Sequence, residues 1–236
     1  MVKAPHIEVL VFEGCPHAES ALEMTRRVVD RLCSSAQVEK IEVDTEEKAA
    51  ALGFLGSPSI RVDGRDVEGK TTTLCALCCR TYEGGSGVPP EWMVEAAVLR
   101  ALKPSGILFL CVANSARSQM AEGMARSIAP EGVKVWSAGS RPAAQVRPEA
   151  VVVMREIGID IAHQKSKAIN EIPTAEVDAV ITLCAEEECP VFPGKVARVH
   201  WSLPDPAAVS GSEEERLNAF RATRDELSRR LALLLA

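Results

Sequence analysis

The sequence predicts an α/β protein of two consecutive domains, and three observations carry that reading. Apolar, strand-like runs alternate with segments of helical spacing along the whole chain, the pattern of a sheet with helices packed against it. Lys103-Pro104-Ser105-Gly106 interrupts this alternation with turn-forming residues and divides the chain into residues 1–104 and 105–236. The length of 236 residues suits two domains of ordinary size, and a hydrophobic content of 47% suffices for two cores. In the second half the strands are apolar throughout, which predicts a parallel sheet with helices on both faces.

The totals narrow the function. A net charge of −6 with no basic cluster argues against a nucleic-acid partner. Met1 to Pro5 show no basic segment followed by a long apolar one, so no signal peptide is expected. The longest apolar runs, such as Leu231 to Ala236, are too short to span a bilayer, so a cytoplasmic chain with no membrane partner is expected. In that setting eight cysteines read as catalytic, redox or metal-binding thiols rather than as a disulfide scaffold.

In the first half, His6 to Phe12 is a strand and Glu13-Gly14-Cys15-Pro16-His17 a turn. Glu19 to Leu32 has helical spacing, with Ala21, Leu22, Val28, Val29 and Leu32 apolar. Val38 to Val43 is a second strand and Glu46 to Leu52 a short helix. Gly56-Ser57-Pro58 turns the chain into a third strand ending at Val62, and Asp63-Gly64 signals a hairpin to Arg65-Asp66-Val67. Pro89-Pro90 precedes a helix from Glu91 to Leu102. With Cys15-Pro16 at the first helix start and Ser57-Pro58 before a strand, residues 6–102 resemble the thioredoxin/glutaredoxin fold. The resemblance implies a cis peptide at Pro58 beside a redox-active Cys15. It departs at position 18, where a second cysteine would stand and Ala18 stands instead. His17, next to Cys15-Pro16, can tune that thiol.

A distant thiol is therefore of interest, and Cys75, Cys78 and Cys79 provide three within five residues. They can resolve a disulfide at Cys15, bind a soft metalloid or metal ion, form half of a zinc site for which no second half is visible, or be small buried residues. No metal site is assigned. Cys33, beside Leu32 late in the helix, reads as packing.

The second half opens on Ile107-Leu108-Phe109-Leu110, a buried strand, followed by Cys111-Val112-Ala113-Asn114-Ser115-Ala116-Arg117-Ser118. A helix follows from Gln119, with Met120, Ala121, Met124, Ala125 and Ile128 on one face. A loop between strand and helix can aim the backbone N–H groups of residues 112–116 at an oxyanion, helped by the helix N-terminus. Arg117 can fork onto two anion oxygens, and the same field favours negative charge on the Cys111 sulfur. Val133 to Gly139 is the next strand. Pro148 opens a helix that runs to about Ile157, with Gly158 past its end. Val177 to Leu183 and Val196 to Trp201 are further strands, and Ser212-Glu213-Glu214-Glu215 is a capping box for the closing helix.

Cys111-X5-Arg117-Ser118, Cys184 and Cys189 with four residues between them, and Asp205-Pro206 together resemble the thioredoxin-coupled arsenate reductases, which share the low-molecular-weight tyrosine phosphatase fold. The strings Asn114 to Gly123, Ser137-Ala138-Gly139 and Gly158-Ile159-Asp160-Ile161 extend the resemblance over residues 106–236. It implies that arsenate docks in the loop and that Cys111 attacks arsenic. Ser118 donates to the thiolate and Asp205 protonates the departing oxygen. Cys184 then takes over the bond to Cys111, and Cys189 the bond to Cys184. A thioredoxin-type donor, the chain's own first domain included, supplies the electrons, with no metal or organic cofactor. Lys165 and Lys167 stand where some relatives carry residues of a cation site, and lysines argue against such an ion.

Two alternatives remain at this stage. A low-molecular-weight tyrosine phosphatase would use Cys111, Arg117 and Asp205 but leaves Cys184 and Cys189 unexplained. One tyrosine and five phenylalanines also leave few aromatics for a phosphotyrosine slot. The first domain can instead be a metal- or metalloid-binding module.

Overall fold

The computed structural model describes residues 4–71, 77–185 and 192–235. The chain divides into two compact units, Met1–Lys103 and Pro104–Ala236.

In the first unit, strand β1 (Ile7–Val11) lies between β2 (Val38–Glu42), which runs parallel to it, and β3 (Ser59–Val62), which runs antiparallel. β4 (Arg65–Asp66) completes the order β2-β1-β3-β4. The hairpin between β3 and β4 turns at Asp63 and Gly64, with φ of 50° and 76°, the left-handed pair that a tight hairpin requires. Leu10 packs with Val43, Ala49 and Phe54. Helix α1 (Ala18–Leu32) buries Ala21, Leu22, Val28, Val29 and Leu32, the apolar stripe of its sequence. Thr45 caps α2 (Glu46–Leu52), its hydroxyl accepting from the Lys48 N–H at 3.1 Å. Helix α3 (Glu91–Leu102) packs on α1, buries Trp92 to Leu99, and is tied to it by Arg31, which bonds Glu91 and the buried Glu95. The Ser57–Pro58 peptide is cis.

The second unit is a four-stranded parallel sheet of order β6-β5-β7-β8, formed by β5 (Gly106–Cys111), β6 (Lys134–Gly139), β7 (Ala179–Thr182) and β8 (Ala197–His200). Every residue of β5 is buried, as expected for a central strand covered on both faces. Leu108, Leu110 and Val180 point to one face and pack with Ile172, Val177 and Phe192. Two single-turn 3-10 helices, Ile169–Glu171 and Thr174–Glu176, lie in the segment that provides this cover. By alternation Ile107 and Phe109 turn to the other face. Helix α4 (Arg117–Ile128) packs against β5 and β6, and α6 (Glu213–Leu235) packs on α4 and on α5 (Pro148–Arg155). The capping box forms as its sequence predicts: Glu215 accepts from the Ser212 N–H at 2.7 Å, and the Ser212 hydroxyl accepts from the Glu215 N–H at 3.3 Å.

Two local expectations are corrected. Helix α4 begins at Arg117, two residues before the expected Gln119, so Arg117 and Ser118 belong to its first turn. Ile128, expected on the apolar face, is 47% exposed, being the last helical residue before the chain turns at Ala129-Pro130. Among the described residues no helix is long and apolar enough to cross a membrane.

Glu156, just past α5, ties that helix to α6. Its carboxylate accepts from Arg221 Nε at 3.0 Å and from Arg224 Nη1 at 2.7 Å. The Arg221 hydrogen bonds, followed by those of Arg224, hold this carboxyl down to about 2 from an ordinary 4.5. Because the folded value is depressed, the tie stabilises fully above the ordinary carboxylate range and is lost as pH falls from about 4.5 towards 2. Glu156→Gln is therefore expected to melt below the parent near neutral pH and together with it near pH 2. A difference that stays constant across that range would contradict this origin.

Candidate active site

The site lies at the C-terminal edge of the parallel sheet, where open α/β sheets place their ligands. Cys111 is the last residue of β5 and pairs with Gly139, the last of β6. The next five residues form a turn in which three carbonyls are directed outward. Val112 O accepts from Arg141 N, and Ala113 O from Ala143 N, both at 2.9 Å; Ser115 O accepts from Arg147 N at 2.8 Å. In a trans peptide the C=O and the following N–H point opposite ways. Anchoring three carbonyls outward therefore turns the N–H groups of Ala113, Asn114 and Ala116 inward. Gly139 permits this packing, since a Cβ there would stand 2.4 Å from Val112 O and 2.9 Å from Asn114 N.

The Cys111 sulfur is buried and has two hydrogen-bond partners. Asn114 N–H donates to Sγ at 3.1 Å, and Ser118 Oγ stands 3.0 Å away. Ser118 Oγ also accepts from Asn114 Nδ2 at 2.8 Å, which places it against the sulfur.

Asn114 holds the turn in shape. Its φ is 45°, a left-handed conformation that asparagine tolerates better than most residues, and its side chain is fully bonded. Nδ2 donates to Ser118 Oγ and to Ser137 Oγ, each at 2.8 Å, while Oδ1 accepts from Gln119 Nε2 at 2.9 Å and Lys167 N at 2.7 Å. Ser137 in turn donates to the buried Glu122 carboxylate, which also receives Arg126 at 2.6 Å and Lys167 Nζ at 3.1 Å. Sequence reasoning met Lys167 only as an argument against a cation site, and Gln119, Glu122 and Ser137 only within the strings that carry the resemblance, with no part in holding Asn114. The available signal was polar residues on the face of a helix or strand that must be buried.

Arg117 is 4% exposed and gathers the ends of the next two strands. Its Nη1 donates to Leu183 O at 3.4 Å and Leu203 O at 3.0 Å, and its Nη2 lies 3.5 Å from Asp205 Oδ1. Asp205 also caps the turn at Pro206–Ala208 by accepting from Ala207 N at 3.2 Å. Leu183 N–H donates to Leu110 O at 2.8 Å, which continues the β5–β7 pairing one residue past β7. Cys184 follows directly and is fully buried. The structure thus collects Cys111, Ser118, Arg117, Cys184 and Asp205 at one edge of one sheet. Cys189 lies outside the described residues, as does Cys75 of the first half. There, Cys15 is buried at the turn after β1, and Cys78 and Cys79 are exposed.

A buried thiol at a strand end, a turn with inward N–H groups running into a helix, and an arginine beside a carboxylate form the arrangement of a phosphate-loop protein. Residues 106–236 match the low molecular weight phosphotyrosine protein phosphatase family, and the chain belongs to that family. Relatives include an arsenate reductase of Bacillus subtilis (strain 168), 46% identical over 127 residues that make up 53% of this chain and 91% of that protein. A second, from Halalkalibacterium halodurans, is 45% identical over 127 residues, with the same coverage of 53% and 91%. A third, from Oceanobacillus iheyensis, is 43% identical over 127 residues.

Proposed function

We propose that this protein reduces arsenate to arsenite through a thiol relay, in the service of arsenic detoxification. The observation that carries the reading is the burial of Cys184 two residues past Thr182, the β7 residue paired with Leu110 next to Cys111, at the Arg117 end of the same sheet edge. A hydrolase has no use for a second thiol there.

Arsenate has the shape and charge of phosphate, so the inward N–H groups of Ala113, Asn114 and Ala116 and the Arg117 guanidinium suit it. Cys111 Sγ attacks arsenic as thiolate, and an As–O bond breaks as Asp205 gives a proton to the leaving oxygen. Ser118 and Asn114 N–H stabilise the sulfur before attack. Cys184 then attacks Cys111 Sγ. The S–As bond breaks with its electron pair remaining on arsenic, so arsenite leaves and a Cys111–Cys184 disulfide forms. Cys189 attacks Cys184, which frees Cys111 and leaves a Cys184–Cys189 disulfide for a thioredoxin-type dithiol to reduce. The two electrons come from thiols, so the cycle needs neither a metal nor an organic cofactor and suits a reducing compartment such as the cytoplasm.

The first unit is a thioredoxin-like redox domain in this reading, and a tethered donor acts at an effective concentration of roughly mM. Its strand order, with Cys15 at the turn before α1 and Pro58 leading into β3, supports that assignment.

The test is arsenate-dependent oxidation of a thioredoxin or glutathione system by the full-length chain, with arsenite measured directly. Arsenite formed in step with donor oxidation is expected. Hydrolysis of a phosphate ester without any arsenite would instead make the protein a phosphatase.

A further inference from the structure

The first domain lacks a second cysteine at Ala18, yet the structure builds a rigid mount for one elsewhere. Cys79 pairs with Ser57 in a parallel bridge, in which Ser57 N–H donates to Cys78 O at 2.8 Å and Arg80 N–H donates to Ser57 O at 2.9 Å. Residues paired across a ladder direct their side chains to the same face, and successive residues to opposite faces. Cys79 therefore shares the face of the Ser57 side chain, and Cys78 takes the other. The Ser57 side chain is fully buried, and its Oγ accepts from Phe12 N–H at 3.3 Å. Phe12 in turn begins the Cys15 turn, its carbonyl accepting from Cys15 N–H at 3.3 Å. Cys79 thus stands one strand spacing, about 4.8 Å, from a residue bonded to the turn that carries Cys15.

A second contact brings the same segment to the same turn. Farther along the chain, Gly87 lies under the His17 imidazole, so closely that a Cβ would stand 2.1 Å from the ring. Between these two contacts the segment is clamped. Arg80 is buried and bonds Asp66 at 2.6 and 2.8 Å and Glu68 at 2.7 Å, and the Tyr82 hydroxyl donates to Pro58 O at 2.8 Å. Cys33 stands at the far end of α1, a helix of 15 residues, and so about 22 Å along the axis from the Cys15 end. Adjacent Cys78 and Cys79 would have to close a small ring through their own peptide, against the extended pairing with Ser57.

We propose that Cys79 is the resolving thiol of Cys15, which makes the first domain a two-thiol disulfide reductase whose second cysteine comes from the segment paired to Ser57. Cys15 attacks one sulfur of an incoming disulfide, forming a mixed disulfide and releasing the first thiolate. Cys79 attacks Cys15 Sγ, the second thiolate leaves, and a Cys15–Cys79 disulfide remains. Two electrons and two protons pass to the incoming disulfide, and an external thiol of the glutathione or thioredoxin class resets the pair. This chemistry does not depend on which oxyanion the second domain accepts.

The test uses the full-length chain carrying Cys111→Ser, Cys184→Ser and Cys189→Ser, so that the thiols of the second domain take no part. Oxidised glutathione is the probe disulfide. Peptide mapping is expected to find Cys15 joined to Cys79, with both glutathione halves released. In Cys79→Ser the glutathione–Cys15 mixed disulfide is expected to persist, its release slowed at least about tenfold, while Cys78→Ser behaves as the parent. Cys15 joined to Cys75 or Cys78, a Cys78–Cys79 disulfide, a Cys15 that stays reduced, or unchanged release in Cys79→Ser would each overturn the proposal. Cys79 is exposed, so serine is accommodated there, and mapping of the parent decides the pairing without that variant.

Discussion

Cys184→Ser is expected to lower sustained arsenite production by at least about a thousandfold, the scale on which removal of a reacting group acts, while phosphate-ester hydrolysis persists. The two activities share Cys111, the inward N–H groups and Asp205, and they part at the step after attack. Water can hydrolyse a phosphorylated cysteine. Arsenic, however, is reduced only if a second sulfur takes Cys111 and leaves the electron pair of the S–As bond behind. A serine oxygen cannot form that bond. Cys184 is fully buried and follows Leu183, whose N–H is held by Leu110 O at 2.8 Å and whose carbonyl is bonded by Arg117 at 3.4 Å. The replacement therefore removes one sulfur and leaves the backbone anchors in place. Survival of arsenite production in this variant would mean that an external thiol attacks Cys111 directly, and the internal relay would be wrong.

Arg80→Met is expected to destabilise the first domain by about 3–5 kcal/mol, the cost of breaking a buried ion pair from one side. The Arg80 side chain is 5% exposed, Asp66 3% and Glu68 10%, so methionine would leave the Asp66 carboxylate without Arg80 and with little water to solvate it, while Glu68 keeps Lys70 at 3.1 Å. The guanidinium also lies 4.4 Å from the centre of the Tyr82 ring, and burial pushes the Tyr82 hydroxyl up from its ordinary value. A local readout is available in the amides of Ser57 and Arg80, which join the thiol-bearing segment to the turn before β3. Their hydrogen exchange should accelerate by about a hundredfold or more, since each 1.4 kcal/mol is a factor of ten. Adding Asp66→Asn should recover part of the loss by removing one uncompensated charge. An unchanged urea midpoint together with unchanged exchange would show that the clamp contributes nothing.

The elements that could be read from the sequence were those with a local cause. Helices Glu46–Leu52 and Glu91–Leu102 begin and end where the residue pattern places them, because capping and apolar spacing act within a few residues. The Asp63-Gly64 hairpin and the Ser212 capping box are of the same kind. The start of α4 was misplaced because Arg117 and Ser118 carry no conventional cap, and the turn before them is shaped by long-range bonds from residues 141–147. The buried set behind Asn114 was illegible for the same reason. Ser137 and Lys167 reach it from 23 and 53 residues away, and only the packed fold brings them there.

By itself, then, the sequence determined the alternation of strands and helices, the break near Pro104, and which residues, Cys111, Arg117, Cys184 and Asp205, are candidates for the site. The first two, and the Cys111 to Ser118 loop, are properties of residue type and short spacing, whereas Cys184 and Asp205 were singled out by the resemblance to the arsenate reductases. Tertiary structure decided which way the peptide units of residues 112–116 face, which buried partners hold Asn114 left-handed, and where Cys79 stands relative to the Cys15 turn. Each is set by hydrogen bonds between segments far apart in the chain, and their geometry exists only once the sheet registers are fixed.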